Sequence, residues 1–595
     1  MNEAKHEPAL SEKRRALLAR MLAEKGIRVT SRPAIPRREG GGRAPLSYAQ
    51  QRLWFLAQLE PDNPFYNMST LVRLRGPLDA GALRRALGEI VRRHEVLRTT
   101  FEMCEGEPVQ VVAPPRESEL TIIEPVGSGM AEREAEALRI AGARARTPFD
   151  LSSEPPFRAG LVRLGGEEHL LSVVMHHVAS DGWSMGVFVR ELEALYRAFA
   201  AGRPSPLEEL PVQYADYAVW QKGPSRQEAL ARQLDYWRRH LSGAPAVLEL
   251  PTDRPRPPVQ LYRGARVPVS LPPELTRELR ALCASQDVTL FMLLLAAFQL
   301  LLMRYAGQER ISVGCPVAGR EQVETEGLIG LFVNTLVMYT DLSGDLDFPE
   351  LLRRVRETTL GAYANQEAPF EQLVEELQPA RNLSHTPLFQ VMFVLQSVEQ
   401  PAVSLEGLSI EGIGIDGGTS KFDLTLSLVE ADGTLKGTFG YNVELFDAAT
   451  VERMVGHLER LLAAVVREPR RPVSRLSFLT ETERRQLLYD WNNTRRDYGP
   501  PNCLHHLFEQ QARRTPGAVA VVDGRAQLTY AQLDARADRL AHRLRTLGVA
   551  PDTLVALCLE RSCLMVVALL AVLKAGGAYL PLDPHYPPDR LSFML

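Results

Sequence analysis

The stretch Leu170-Leu171-Ser172-Val173-Val174-Met175-His176-His177-Val178-Ala179-Ser180-Asp181-Gly182-Trp183-Ser184 constrains the fold more than any other part of the chain. Its bounded apolar run is rich in Leu and Val and reads as a buried strand. The run ends in two histidines, and Asp181-Gly182 then marks a turn. Alternation along a strand sends His176 and His177 to opposite faces. One imidazole can then sit in the interior while the other is held rigidly at a cleft. A pair of ordinary core or surface histidines is the bland alternative. The combination of paired His, strand end, Asp at a fixed offset and Gly after it favours a functional site.

At 595 residues the chain is too long for one core, and three or four domains are expected. Apolar content of 45% and charged content of 24% are those of ordinary soluble protein. A net charge of −4 with mixed signs gives no footprint for nucleic acid. Six cysteines are scattered without a CxxC pair. That spacing fits a reducing cytoplasm and argues against a disulfide framework or a zinc site. Residues 1–9 are polar, so no signal peptide is expected. The apolar runs 290–303 and 563–573 are shorter than the ~18 residues of a membrane span and read as buried helices. The expectation is a soluble, cytoplasmic protein with neither membrane nor nucleic acid as partner.

Taken in order, Ser11 caps a short helix carrying Ala16, Leu17, Leu18, Met21 and Leu22, which Gly26 stops. Residues 28–45, with Gly40-Gly41-Gly42, have linker chemistry. The helix is either a tail or a docking element for another protein. Ser47 then caps a helix with Leu53 and Leu56 on its apolar side, and 68–74 reads as a strand. Leu83, Leu87, Ile90 and Val91 give 79–94 a helical stripe. His94, between Arg93 and Glu95, reads as a structural histidine. Residues 183–200 form an amphipathic helix, and the proline-rich 250–258 connects two lobes.

In the second lobe, 290–305 is a helix apolar nearly all round and therefore buried. A strand from Ile311 runs into a Gly319-Arg320 turn, and 330–339 reads as a second buried strand. Asn334 in it needs partners, so it either braces a loop or faces the cleft. Lys421-Phe422-Asp423-Leu424 leads into an alternating strand, and the helix 451–467 closes the lobe. A new unit follows a charged helix at 481–488, with a helix at 504–512, a strand at 519–522 and another helix opening at 528–533. His505-His506 lies on an amphipathic helix with no Asp-Gly after it, and reads as solvated rather than functional.

The segments 47–56, 93–101, 176–184, 214–220, 329–335, 365–371 and 381–388 resemble, in order, the motifs of the condensation domain of nonribosomal peptide synthetases. Segments 528–533 and 573–583 resemble the first two motifs of an adenylation domain. The HHxxxDG pattern alone is shared with other carrier- and CoA-dependent acyltransferases; seven motifs in order are specific. The resemblance implies an α/β fold of two chloramphenicol-acetyltransferase-like lobes in a V-shaped pseudo-dimer, followed by a truncated α/β adenylation fragment. The implied organisation is an N-terminal helix and linker (1–44), an N-terminal lobe (45–222), a C-terminal lobe (223–478), a linker (479–502) and the adenylation part (503–595). A tunnel between the lobes would admit two phosphopantetheine arms. Tyr339 stands where the family usually has Arg, and Asn382 and His385 stand where Asp and Arg are common.

The resemblance also implies a reaction: the α-amine of an acceptor aminoacyl thioester attacks a donor acyl or peptidyl thioester. An imidazole titrating near ~6.5 suits the proton transfer, so His177 is the expected base or amine-positioning group. His176 is expected to be structural. The counterpart of Asp181 in the family pairs with an Arg matching Arg320 and braces the motif. Gly182 permits close approach and offers its amide to the oxyanion, and Trp183, Ser184 and Asn334 are expected at the tunnel. No metal and no directly bound cofactor are implied; the phosphopantetheine arms belong to partner carrier proteins, an upstream donor and a downstream acceptor, with the adenylation domain in cis. A starter-type domain taking a fatty acyl donor, an epimerase, and a non-catalytic recruitment platform are the competing readings. The glycine-rich ATP loop and catalytic lysine of adenylation are not found before Leu595, so amino-acid activation is not expected of this chain.

Overall fold

The computed structural model describes residues 34–116, 120–379, 382–396, 405, 407–414, 418–499, 502–524 and 526–595. The expected helix after Ser11 lies outside the described residues, as does Arg381. The chain forms two compact units, one ending at Arg484 and the other comprising Arg485–Leu595.

The first unit has two lobes, each with a sheet and its own apolar core. In the first lobe the strand order is Ser409–Ile413, Asn67–Arg75, Glu168–His176, Phe157–Gly165, Leu120–Ile123. The histidine strand is central and pairs antiparallel with both neighbours, Asn67 lying opposite His176. Central placement explains its near-continuous apolar sequence, since both faces are covered. Helix Ala80–Arg93 covers one face through Leu83, Leu87 and Ile90, all fully buried. Asp79 caps that helix by accepting from the Gly81 and Ala82 amides. The sequence stripe at 79–94 is thus borne out. A smaller antiparallel sheet joins Arg43–Pro45, Glu107–Val112 and Thr99–Cys104.

The second lobe is built on a six-stranded mixed sheet: Asn334–Asp341, Arg310–Val317, Val391–Gln396, Leu424–Ala431, Thr434–Asn442, Gly264–Ser270. Helix Leu290–Ala306 is packed inside it with Met292 through Leu302 buried, as its all-round apolarity requires. Among the described residues no single helix is long and apolar enough to cross a membrane.

The two lobes are not contiguous in sequence. Ser409–Ile413 leaves the second-lobe stretch and adds an edge strand to the first-lobe sheet. Residues 330–333, expected as the start of a strand, instead carry Leu331 and Phe332 into the first-lobe core; the strand begins at Asn334. Two close approaches fix that crossing. Gly319 has φ +64, and a Cβ on it would lie 2.0 Å from the Phe332 carbonyl oxygen. A Cβ on Gly330 would lie 2.1 Å from the Tyr214 ring. Only glycine permits either contact.

The second unit contains helices Leu504–Arg514, Tyr530–Thr546, Cys563–Ala575 and Pro588–Met594. Strand Leu554–Cys558 pairs parallel with Ala578–Leu582, and Val519–Val522 pairs antiparallel with Gln527–Thr529. Thr529 closes a capping box with Gln532 at the start of Tyr530–Thr546.

Candidate active site

The chain leaves the central strand at His176 and makes one tight turn, His177–Ala179, before helix Gly182–Ala200. Three hydrogen bonds hold the turn. Val178 N–H donates to His176 Nδ1 at 3.1 Å, and Ser180 N–H donates to the His177 carbonyl at 3.3 Å. The buried amide of Gln50 donates to the Val178 carbonyl at 3.4 Å. Alternation therefore does not set the rings apart as expected. His177 already belongs to the turn, and both rings stand near Tyr66, with centroids 6.1 and 6.5 Å away.

The tautomer of His177 follows from one contact. Its Nδ1 lies 2.6 Å from the Ser180 carbonyl oxygen. A carbonyl can only accept, so Nδ1 carries the hydrogen and Nε2 carries a lone pair. Among the described residues nothing occupies Nε2. The imidazole is half-buried, and burial is the main cause that holds its pKa well below the ordinary range, followed by the charge of Lys421; the Ser180 carbonyl pulls the other way. A neutral imidazole with a fixed Nδ1–H and an open Nε2 is a proton acceptor. His176 is buried against Phe149 and pushed down to about 3 by burial, then by His177 and Lys421. Its ring is held in place by the Val178 amide.

Asp181 does not touch the imidazole. Its carboxylate accepts from the Ser184 amide at 2.8 Å, the Ser184 hydroxyl at 2.7 Å and the Phe332 amide at 2.9 Å. Arg320 approaches it at 3.2 Å, and both side chains are 2% exposed. Arg320 also donates to the Leu328 and Thr325 carbonyls. Burial lowers the Arg320 pKa while Asp181 opposes the shift. Asp181 thus caps the helix beside His177 and ties it to the crossing segment.

Ser184 was expected at the tunnel, and the structure corrects this. Its hydroxyl is fully buried among Asp181, the Gly330 backbone and Arg320, so it is a brace. Gly182 opens the helix, and a Cβ there would meet open space. Trp183 is 46% exposed, and its indole N–H donates to the Glu326 carbonyl at 2.9 Å. Asn334 braces a loop: it donates to the Gln366 and Ala368 carbonyls at 2.8 and 2.7 Å and accepts from the Phe370 amide. It also lines a small cavity of about 70 Å³ at the seam of the lobes, with Ser47, Tyr217, Trp220 and Glu367; neither histidine lines it. His94 is structural as expected, since the Ile329 amide donates to its Nδ1 and its Nε2–H donates to buried Glu191 at 3.0 Å. Tyr339 packs its ring on His240. Asn382 caps a turn through the Ser384 amide, and His385 Nδ1 meets the Thr386 carbonyl.

Sequence reasoning missed Tyr66 and Lys421. The register Asn67 opposite His176 places Tyr66 beside His177, but that register is not readable without the strand pairing. Lys421 comes from the second lobe, and its ammonium lies 4.7 Å from the Tyr66 ring centroid and 5.2 Å from that of Phe65. In the second unit, Cys503, His505 and His506 bring ligand atoms within 4.8 Å of one another, a group that could hold a metal ion although His505-His506 reads as solvated. No step of the histidine site involves it.

The condensation-domain family matches residues 41–488, three-quarters of the chain and the whole of this site. The chain belongs to the condensation-domain family. An AMP-binding enzyme family matches residues 508–595, so this condensation domain is followed by the start of an adenylation domain. A linear gramicidin synthase of Brevibacillus parabrevis is 48% identical over 93% of the chain. The chain spans 7% of the length of that relative. Among solved structures, the X-domain from teicoplanin biosynthesis, determined in a complex with OxyB, covers 76% of the chain at 31% identity and TM-score 0.70, with 99% of its own length matched. The first condensation domain of the calcium-dependent antibiotic synthetase covers 74% at 25% identity and TM-score 0.61, with 100% of its length matched. The chain is thus similar to the condensation domains of nonribosomal peptide synthetases.

Proposed function

We propose that His177 is the proton acceptor of this condensation. The α-amine of an aminoacyl thioester on the acceptor carrier attacks the carbonyl carbon of an acyl or peptidyl thioester on the donor carrier. The C–N bond forms and the C–S bond breaks, with its electron pair leaving on sulfur. Nε2 takes the proton that the amine loses and returns it to the thiolate, so an amide and a free carrier thiol result. The observation that carries this reading is the open Nε2 opposite an Nδ1–H fixed on the Ser180 carbonyl. Phosphopantetheine enters this reading as part of the partner carriers. One feature supports a reaction site at the seam of the lobes: Tyr66, beside His177, and Lys421 come from different lobes. Six free thiols fit the reducing cytoplasm where such synthesis occurs.

The test is amide formation between loaded donor and acceptor carrier proteins. General base catalysis contributes roughly 10²–10⁴-fold, so His177→Ala is expected to lose about that much. Equal product from both proteins removes His177 from the chemistry. The likeness to an X-domain found in a complex with another protein favours one second reading, a recruitment platform. Loaded carriers that bind the wild type without amide formation would establish it.

A further inference from the structure

Lys421 is a charged residue for which the reaction as written has no use. It stands just before strand Leu424–Ala431 of the second lobe. Its backbone is pinned: the Gln260 side chain donates to the Lys421 carbonyl at 3.1 Å, and the preceding Ser420 amide donates to the Tyr262 carbonyl at 2.8 Å. Tyr262 in turn packs its ring 4.5 Å from Phe65. The side chain therefore reaches across the seam onto the Phe65–Tyr66 pair of the first lobe. Among the described residues no carboxylate pairs with its ammonium. Cation–π contact with the two rings is its compensation.

An unpaired, half-buried cation is unfavourable unless something requires it there. The groups around it show what its field acts on. Arg52, from helix Tyr48–Leu59, adds a second positive charge, itself paired with Glu371 at 3.4 Å. Tyr66, also within reach of Glu60 and Tyr262, lies close both to Lys421 and to the two imidazoles. His177 also faces His176 at the end of the preceding strand and the field of Asp181 at the helix start. Asp181, paired with Arg320, opposes the effect of Lys421 on His177, and Lys421 is the cation that His177 feels most.

We propose that Lys421 is a positioning residue for condensation: its unpaired ammonium, held on Phe65 and Tyr66 beside His177, keeps a second positive charge off the imidazole and so preserves the proton-accepting form. The second lobe thereby supplies an electrostatic half of a site whose imidazole comes from the first. This rests on the reading of His177 as the proton acceptor. Burial and the neighbouring Arg52 lower Lys421 itself to about 8, so it carries its charge at neutral pH and loses it as the solution turns alkaline.

The experiment is the pH–rate profile of amide formation by the full chain with loaded carriers, joined to histidine-labelled NMR titration of His177, assigned through His177→Ala. A unit charge one aromatic ring away, at an effective dielectric of about 20, moves an imidazole by roughly one pH unit. Lys421→Met is expected to raise the acid limb and the His177 titration together by about that amount, and Lys421→Arg to hold both near the wild-type position. If Lys421→Met does not fold, Lys421→Gln is read in the same way. A His177 titration that stays in place when the charge is removed overturns the proposal. The two failures are separable: an active His177→Ala sinks the proton-acceptor reading, whereas an inactive His177→Ala beside an unmoved Lys421→Met sinks only the role of Lys421.

Discussion

Replacing Asp181 by asparagine removes one charge and almost no volume, which isolates what the carboxylate does. Its two oxygens face only donors: the Ser184 amide and hydroxyl, the Phe332 amide and the Arg320 guanidinium. Whichever way the asparagine amide turns, its NH2 group meets N–H groups where an acceptor is required. Arg320 is left buried without a counter-charge, its Nε already lacking a partner. Removing one member of a buried pair costs about 3–5 kcal/mol, and we expect that loss from Asp181→Asn and a similar one from Arg320→Gln. With both replaced, no charge remains stranded, so the double variant should lose about as much as one single variant. Chemical denaturation followed by tryptophan emission reads this well, since Trp54, Trp183, Trp220 and Trp237 lie in the first unit and only Trp491 in the second. Strictly additive losses, or a single-variant loss under about 1 kcal/mol as for a surface pair, would refute the network. A His177 titration displaced by several pH units in Asp181→Asn would point instead to a direct Asp–His relay.

Two further outcomes follow from the same geometry. Gly319→Ala must place a Cβ against the Phe332 carbonyl in a left-handed backbone conformation, and should destabilise the first unit by at least about 2 kcal/mol in the same denaturation assay. His176, neutral and depressed to about 3 by burial, contributes stability that is complete above its unfolded value near ~6.5 and is lost as pH falls toward 3. Against His176→Asn, whose oxygen can still accept from the Val178 amide, the wild type should therefore lose stability more steeply on acidification, by up to about 1.4 kcal/mol per pH unit between roughly pH 6 and 4.

Most of the local structure was legible because it is written in local patterns. The 3.6-residue stripe of Leu83, Leu87 and Ile90 gave the helix Ala80–Arg93, and the apolar run before His176 gave the central strand. The Asp181–Arg320 pair was implied by the motif resemblance and is present in the structure, 139 residues apart. Long-range placement was not legible. Ser409–Ile413 reads as an ordinary strand, and nothing in its five residues states that its partner is Asn67–Arg75 in the other lobe. Residues 330–333 are apolar whether they extend a strand or plug a neighbouring core, and the plug wins because Gly319 and Gly330 allow backbone contact there. Ser184 was misplaced for a related reason: one hydroxyl after Asp-Gly looks accessible until Gly330 and Arg320 close over it. Lys421 was read only as the entrance to a strand, since its neighbours Phe65, Tyr66 and His177 lie far away in sequence.

As proposed above, Nε2 of His177 accepts a proton rather than merely orienting the amine. The single-turnover rate of amide formation by His177→Gln, with both carriers loaded and in excess, tests it most directly. Glutamine presents an acceptor oxygen for the amine but cannot take up a proton at neutral pH. The expected rate is roughly 10²–10⁴-fold below wild type, with the denaturation midpoint retained. A rate within a few-fold of wild type would contradict it.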